Sequence, residues 1–277
     1  MNWPELDIRE ARWVCVDVET TGLEVEQAHR ICEIAAVKGG FSGPIEEIDS
    51  LVNPGRAIPA EAAAVSGLTD EHVAGAPSFA EIAPGVLDLL RGAVIVAHNA
   101  PFDVGFLETE LGLSGLALPT APIVDTMAIA SSVFGLTVRN LAAVTHALQT
   151  EHRPKHRAID DARATRDVLL AGLGRLSDRG LTTVGEVVEA LLPPDPPDVP
   201  LTGSPFPALR EALKSGADLR ITYEGAGGAS ERVVRPIRLE PKDRRLLLAA
   251  FCRTRRAPRT FRADRILAAS VENPYKA

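Results

Sequence analysis

Seven prolines crowd into the sixteen residues from Leu192 to Pro207. Proline fixes φ and lacks an amide proton, so no helix or central strand runs through such a stretch. The segment reads as a semi-extended linker over residues 192–207. It divides the 277-residue chain into residues 1–191 and 208–277, each of ordinary domain size. Charge divides at nearly the same place. Residues 1–200 hold 14 Lys and Arg against 29 Asp and Glu, a balance of −15, whereas residues 201–277 hold 16 against 8, a balance of +8. An acidic body with a basic tail implies two units with different tasks, the basic one a candidate for contact with a polyanion.

Several classes are excluded at once. No apolar run approaches the roughly 18 residues needed to cross a membrane, and the N-terminus lacks a charged-then-apolar leader pattern, so no membrane partner is expected. Cys15, Cys32 and Cys252 are few, odd in number and far apart, which argues for buried thiols in a reducing cytoplasm rather than a disulfide framework. His146, His152 and His156 lack the spacing of a helical metal pair and have no cysteine nearby, which argues against zinc.

In the first unit, strands are expected at Arg12–Val18, Ile31–Lys38, Glu47–Val52, Ala93–Ala97 and Ile123–Asp125. Helical spacing covers Ser78–Leu90, Pro101–Leu111, Thr126–Phe134, Arg139–Leu148 and Ala158–Leu176. Three consecutive strands followed by strands alternating with helices predict an α/β fold with a mixed sheet flanked by helices on both faces. In the second unit a short helix at Pro207–Lys214 precedes strands at Leu219–Tyr223, Arg232–Leu239, Arg245–Cys252 and Thr260–Leu267, with a hairpin turn at Gly225, which together predict a small β-barrel.

Three carboxylate segments carry the chemistry. Asp17-Val-Glu19 ends the first strand, and side-chain alternation puts both acids on one face. Like charges so placed repel unless a cation lies between them, and hard oxygen donors suit Mg²⁺ or Mn²⁺. Asp103 falls in the first turn of a helix that follows Ala97-His-Asn-Ala-Pro-Phe. Asp161 falls in the first turns of the last long helix, with His156 on the approach to it. Asp160 points about 100° away from Asp161 and is not a ligand candidate. Asp125 ends another strand outside these segments and reads as structural.

The phrases D-V-E-T-T-G from Asp17, A-H-N-A-P-F-D from Ala97 and H-R-A-I-D-D-A-R-A-T from His156, with A-V-S-G-L-T from Ala64, resemble the DEDDh 3′→5′ exonucleases. That family includes the proofreading epsilon subunit of bacterial replicative DNA polymerase. The resemblance spans Trp13–Leu176 and keeps all five catalytic positions. It implies a ribonuclease-H-like fold and hydrolysis from a nucleic-acid 3′ end, releasing nucleoside 5′-monophosphates. It further implies two divalent metal ions held by Asp17, Glu19, Asp103 and Asp161, with His156 as general base. Thr20, His98, Asn99 and Phe102 would line the substrate cleft. Single-stranded DNA is the favoured partner, with RNA 3′ ends as the alternative, and a regulatory protein with a vestigial nuclease as the reading from another class. The chain carries no polymerase motif, so proofreading would need a separate polymerase partner.

Residues 209–271 resemble the WYL domain, a family with an SH3-like β-barrel often used for ligand sensing. The resemblance rests on Arg232-Val-Val-Arg-Pro-Ile-Arg-Leu, Leu246-Leu-Leu-Ala-Ala-Phe-Cys-Arg253 and Arg259-Thr-Phe-Arg-Ala-Asp-Arg-Ile266. It departs at the naming residues, where Leu246-Leu247-Leu248 stands in place of Trp-Tyr-Leu. Arg259, Arg262 and Arg265, at period three, are candidates for a basic face on a bulged strand that contacts nucleic acid or a ligand.

Overall fold

A computed structural model describes residues 1–193, 205–243 and 245–272. Most of the expected linker, residues 194–204, lies outside the described residues.

The first sheet takes β1 (Trp13–Thr20), β2 (Ile31–Gly39), β3 (Glu46–Leu51), β4 (Val94–Ala97) and β5 (Ile123–Asp125) in the order β3-β2-β1-β4-β5. The pairs β1/β2 and β2/β3 are antiparallel, while β1/β4 and β4/β5 are parallel. Its central strands are near-continuous apolar runs, as strands covered on both sides must be. β4 runs parallel to β1 with Val96 beside Cys15 and ends one residue later, so the turn after β4 lies alongside the last residues of β1. Crevices at such strand ends are where open α/β sheets bind ligands.

Helices α1 (Ala60–Ser66), α2 (Asp70–Val73) and α3 (Phe79–Leu90) separate β3 from β4. Ser78 and Glu81 close a capping box on α3, which buries Phe79, Val86 and Leu90. Then follow α4 (Ala100–Leu113), the single turn α5 (Thr126–Ala128), α6 (Leu141–Leu148), α7 (Ala158–Ser177), α8 (Val184–Leu191) and α9 (Phe206–Ser215). The expected helix at 126–134 is instead α5 followed by a π-helical turn, Ile129–Val133, where Ile129 packs onto bare Gly172 of α7. Ala158 and Ala162 bring α7 close onto Ala35 and Val37 of β2.

The second sheet is antiparallel throughout, with β6 (Leu219–Gly225), β7 (Gly228–Lys242), β8 (Arg245–Cys252), β9 (Ala257–Arg262) and β10 (Ile266–Val271) in the order β10-β6-β7-β8-β9. The strand expected over 260–267 is interrupted by a 3-10 turn at Ala263–Arg265, where Ala263 is buried. That short turn joins the two edge strands, and Tyr223 of β6 meets Phe261 of β9 edge-on at 5.1 Å between ring centroids. No pairing joins β9 to β10 among the described residues, so closure into the expected SH3-like barrel is not shown.

One apolar cluster runs through both regions. Leu118, Ala121 and Val187 share it with Leu209, Ala212, Leu213 and Leu219. Contact is tight where the regions meet: a Cβ on Gly105 of α4 would lie 2.7 Å from Pro258 Cγ of β9. Cys15, Cys32 and Cys252 are free and buried, and burial pushes the Cys32 thiol up to about 12. Among the described residues, no helix is long and apolar enough to cross a membrane.

Candidate active site

Asp17 and Glu19 stand two apart near the end of β1, opposite Ala35 and Glu33 of β2, and the pairing shifts register just after Glu19. Asp103 is buried in the first turn of α4, where its Oδ1 accepts the Val18 amide at 3.1 Å. This bond fastens the second segment to the first between its two acids. Asp161 is buried in the first turn of α7, and its Oδ1 accepts the Lys155 amide at 2.8 Å. His156 is exposed and left-handed, with φ +57°, immediately before that helix. The oxygens of Glu19 and Asp161 and a ring nitrogen of His156 lie within 4.8 Å of one another.

These carboxylates raise one another's proton affinity. Burial, followed by the charges of Asp103, Asp161 and Glu19, holds Asp17 well above the usual carboxylate range. Burial, then Asp161 and Glu33, pushes Glu19 up to about 7. Burial likewise raises Asp103 against the opposing pull of the Val18 amide, and raises Asp161 against that of the Lys155 amide. None of the four has an ion-pair partner among the described residues. Hard oxygens clustered beside one imidazole, with Arg157 opposing the rise at Glu19 but pairing directly with none of the four, fit a divalent metal ion.

A cleft of about 540 Å³ opens beside Glu19, lined by Thr20, Leu23, Val65 and Phe102 among others. Thr20 Oγ1 donates to the Gly22 carbonyl at 2.7 Å, and Phe102 is backed by Phe106 at 5.0 Å between ring centroids. Thr20 and Phe102 therefore reach the cleft, whereas His98 and Asn99 are not among its lining residues. The His98 ring bonds Thr126 Oγ1 at 2.8 Å and the Arg139 carbonyl at 2.6 Å, so both nitrogens are taken up inside the fold. Asn99 is left-handed, with φ +69°, and caps the start of α4. Both residues belong to the turn that carries Asp103.

Two other residues, Glu33 and Arg157, build the site without having been expected to. Glu33, fully buried on β2, accepts Arg157 Nε at 2.9 Å and Nη2 at 2.6 Å, together with the Ala158 amide at 3.0 Å. It thereby anchors the start of α7 between His156 and Asp161. The signal was a glutamate inside the apolar run Ile31–Val37, since buried charges are seldom left without a task.

The three candidate arginines of the second sheet do not share a face. Pairing of β9 with β8 runs without a register shift, so Arg259 and Arg262 project oppositely, and Arg265 lies in the 3-10 turn. Arg259 pairs with Glu26 beside the cleft loop, and Arg262 pairs with Asp264 at 2.6 Å.

A mixed five-stranded sheet with a cation-ready acidic cluster at its strand ends defines a ribonuclease-H-like nuclease class. The Exonuclease family model matches residues 14–169, and the chain belongs to that family. A WYL domain model matches residues 205–271. The chain is 40% identical over 189 residues to a DNA polymerase III subunit epsilon-like protein of Rhodobacter capsulatus, covering 66% of this chain and 27% of that protein. It is 36% identical over 166 residues to the 3′-5′ exonuclease DinG of Bacillus subtilis, covering 60% of this chain and 18% of that protein. The chain thus spans less than a third of the length of these relatives. Among solved structures, exonuclease X in complex with 5′ overhanging duplex DNA aligns with a TM-score of 0.50 at 24% identity, over 65% of this chain and 99% of that one. Escherichia coli exonuclease I in complex with a dA16 oligonucleotide aligns with a TM-score of 0.55 at 17% identity, over 87% of this chain and 55% of that one. At these identities the likeness to the two structures is one of fold.

Proposed function

We propose that the protein is a 3′→5′ exonuclease that uses two divalent cations, Mg²⁺ or Mn²⁺, and favours single-stranded DNA ends. The observation that carries this reading is the close group of Glu19, Asp161 and His156, with Asp17 and Asp103 near enough for the acids to raise one another's proton affinity and no arginine or lysine ion pair to any of the four among the described residues. The named activity of DinG and the DNA bound to exonucleases X and I point the same way. Residues 1–191 would form the nuclease unit, 192–207 the connector and 208–277 a WYL-type unit with its sheet curled as an SH3-like barrel.

The four carboxylates would hold the cations, which when bound polarise the scissile phosphate and make water a stronger nucleophile. His156, exposed at the mouth of the site, would take the proton of the attacking water. Water adds to the terminal phosphorus, the bond to the 3′ oxygen breaks, and a nucleoside 5′-monophosphate leaves. Thr20 and Phe102 would seat the last nucleotide, with Phe102 held in place by Phe106.

The test uses 5′-labelled strands of DNA and of RNA incubated with Mn²⁺ or Mg²⁺. Wild type should shorten the DNA strand from its 3′ end one nucleotide at a time. Asp17→Asn should lose about a thousandfold in rate, the equivalent of roughly 4 kcal/mol of transition-state stabilisation. Equal rates for wild type and variant would overturn the reading.

A further inference from the structure

Asp125 ends β5 with its side chain 2% exposed, outside the acidic cluster, and its carboxylate is fully used. Oδ1 accepts the amides of Asn99 at 3.1 Å and Met127 at 2.9 Å, and Oδ2 accepts the amide of Ala100 at 3.0 Å. The last partner of Oδ2 is Arg238, from the second sheet. Arg238 also reaches Asn99 Oδ1 at 3.3 Å, and its other nitrogen is held by Glu240 at 2.9 Å. A one-residue register shift between Pro236 and Arg238 breaks the alternation of β7 just before the arginine, which is how such bulges re-aim a side chain.

The two residues that Asp125 and Arg238 grip are the left-handed Asn99 and the first residue of α4. Asp103 follows one turn later and touches the Val18 amide between Asp17 and Glu19. Few L-residues hold positive φ without help, so the turn depends on what surrounds it. Here part of that surround comes from a region more than a hundred residues away in the chain.

We infer that Arg238 is a positioning residue for the nuclease reaction, and that the C-terminal sheet completes the scaffold which aims Asp103. The inference rests on the reading of Asp103 as a metal ligand. Without its guanidinium partner the Asp125 carboxylate is buried against three amides alone, the Asn99 side chain loses its anchor, and the start of α4 loosens. Displacing one ligand by a fraction of an ångström weakens the site for cation and for catalysis together, while the cleft that seats the strand is untouched.

The full-length protein is tested as Arg238→Met and Arg238→Lys, beside Arg253→Gln. Arg253 also joins the two regions, through Glu108 about two turns further along α4, and is held on its own side by Asp218. For Arg238→Met, kcat on a single strand should fall about ten- to a hundredfold with KM within twofold. The Mn²⁺ concentration for half-saturation, read by calorimetry without substrate, should rise at least threefold. Amide exchange at Asn99 and Ala100 should quicken in the metal-free protein. Arg238→Lys, which keeps the charge but not the two-pronged grip, should fall between, and it carries the test if the methionine variant does not fold. Arg253→Gln should lower Tm yet leave kcat, Mn²⁺ binding and those two amides as in wild type. The inference is overturned if Arg238→Lys and Arg238→Met match an active wild type in kcat and Mn²⁺ binding, or if Arg253→Gln reproduces their losses. An inactive wild type that binds no Mn²⁺ would instead sink the nuclease reading, and the inference with it.

Discussion

The protein holds two sets of buried or half-buried carboxylates and treats them oppositely. Outside the four-acid cluster each buried acid meets an arginine: Glu33 with Arg157, Glu110 with Arg30, Glu108 with Arg235 and Arg253, Asp125 with Arg238. At the end of β1 the four acids of the cluster meet none among the described residues, and their proton affinities climb. The first set shows that this fold supplies a guanidinium where a buried charge is structural. Its omission from the second set is therefore informative, because uncompensated charge at one strand end is stable only with a proton or a cation from solution. The comparison also explains the lopsided sequence. Arg235, Arg238, Arg253 and Arg259, all in the basic tail, reach across to acids of the nuclease region, so much of the charge split is spent on holding the two regions together.

The comparison can be broken from either side. On the compensated side, Glu108→Gln leaves Arg235, 3% exposed, with the Leu118 and Pro119 carbonyls and, among the described residues, Asp218 at 3.6 Å as its one carboxylate, and should cost about 3 kcal/mol in a denaturant titration. A loss below about 0.5 kcal/mol would show that the arginines are not answering the acids.

On the other side the metal-free protein should respond to pH. The folded state holds the Glu19 proton up to about 7, against an ordinary 4.5. The stability that proton contributes is full below about pH 4.5 and is lost as pH rises through about 7, with Asp17 and Asp103 shifted in the same sense. Thermal melts of wild type minus Glu19→Gln should trace that fall. Saturating Mn²⁺ should restore about 2.7 kcal/mol at a hundredfold excess over Kd at pH 8, and far less at pH 5. Equal increments at the two pH values would contradict the uncompensated cluster.

A smaller change of opposite sign to Glu108→Gln is expected for Asp103→Asn at pH 8 without metal. The amide keeps an acceptor for Val18 while removing a buried charge, and Tm should rise by about 2–4 °C, near 1 kcal/mol. A fall in Tm would place Asp103 with the compensated acids. Smallest of all, Arg259→Ala removes an exposed pair with Glu26 and should shift stability by less than about 0.5 kcal/mol.

Much of this was legible in the sequence for identifiable reasons. Strands such as Ile123–Asp125 are short apolar runs, and the expected span is the observed one. Asp17 and Glu19 announced themselves by their spacing at a strand end. Short helices were harder. The segment 60–73 has no long amphipathic pattern, although α8 opens on a readable capping box, Thr183 with Glu186. His98 and Asn99 sit in a phrase full of site residues, and only the folded turn shows what their side chains bond to within the protein. Arg259, Arg262 and Arg265 looked like one face because period three was read on a single bulged strand, and the 3-10 turn at Ala263–Arg265 takes Arg265 off that strand. The pairing of Arg238 with Asp125 leaves no trace in either local pattern, because it depends on a bulge and on how two distant strands dock.

The apolar cluster that passes from Leu118, Ala121 and Val187 into Leu209, Ala212 and Leu213 bears on how such a chain can be dissected. Cutting after residue 193 would wet a contiguous greasy surface, and the fragment would be prone to precipitate for reasons unrelated to its chemistry. A related nuclease lacking this tail must carry polar side chains at the positions of Leu118 and Ala121, or cover them with something else. Grafting the tail onto such a relative would therefore require exchanging both surfaces together.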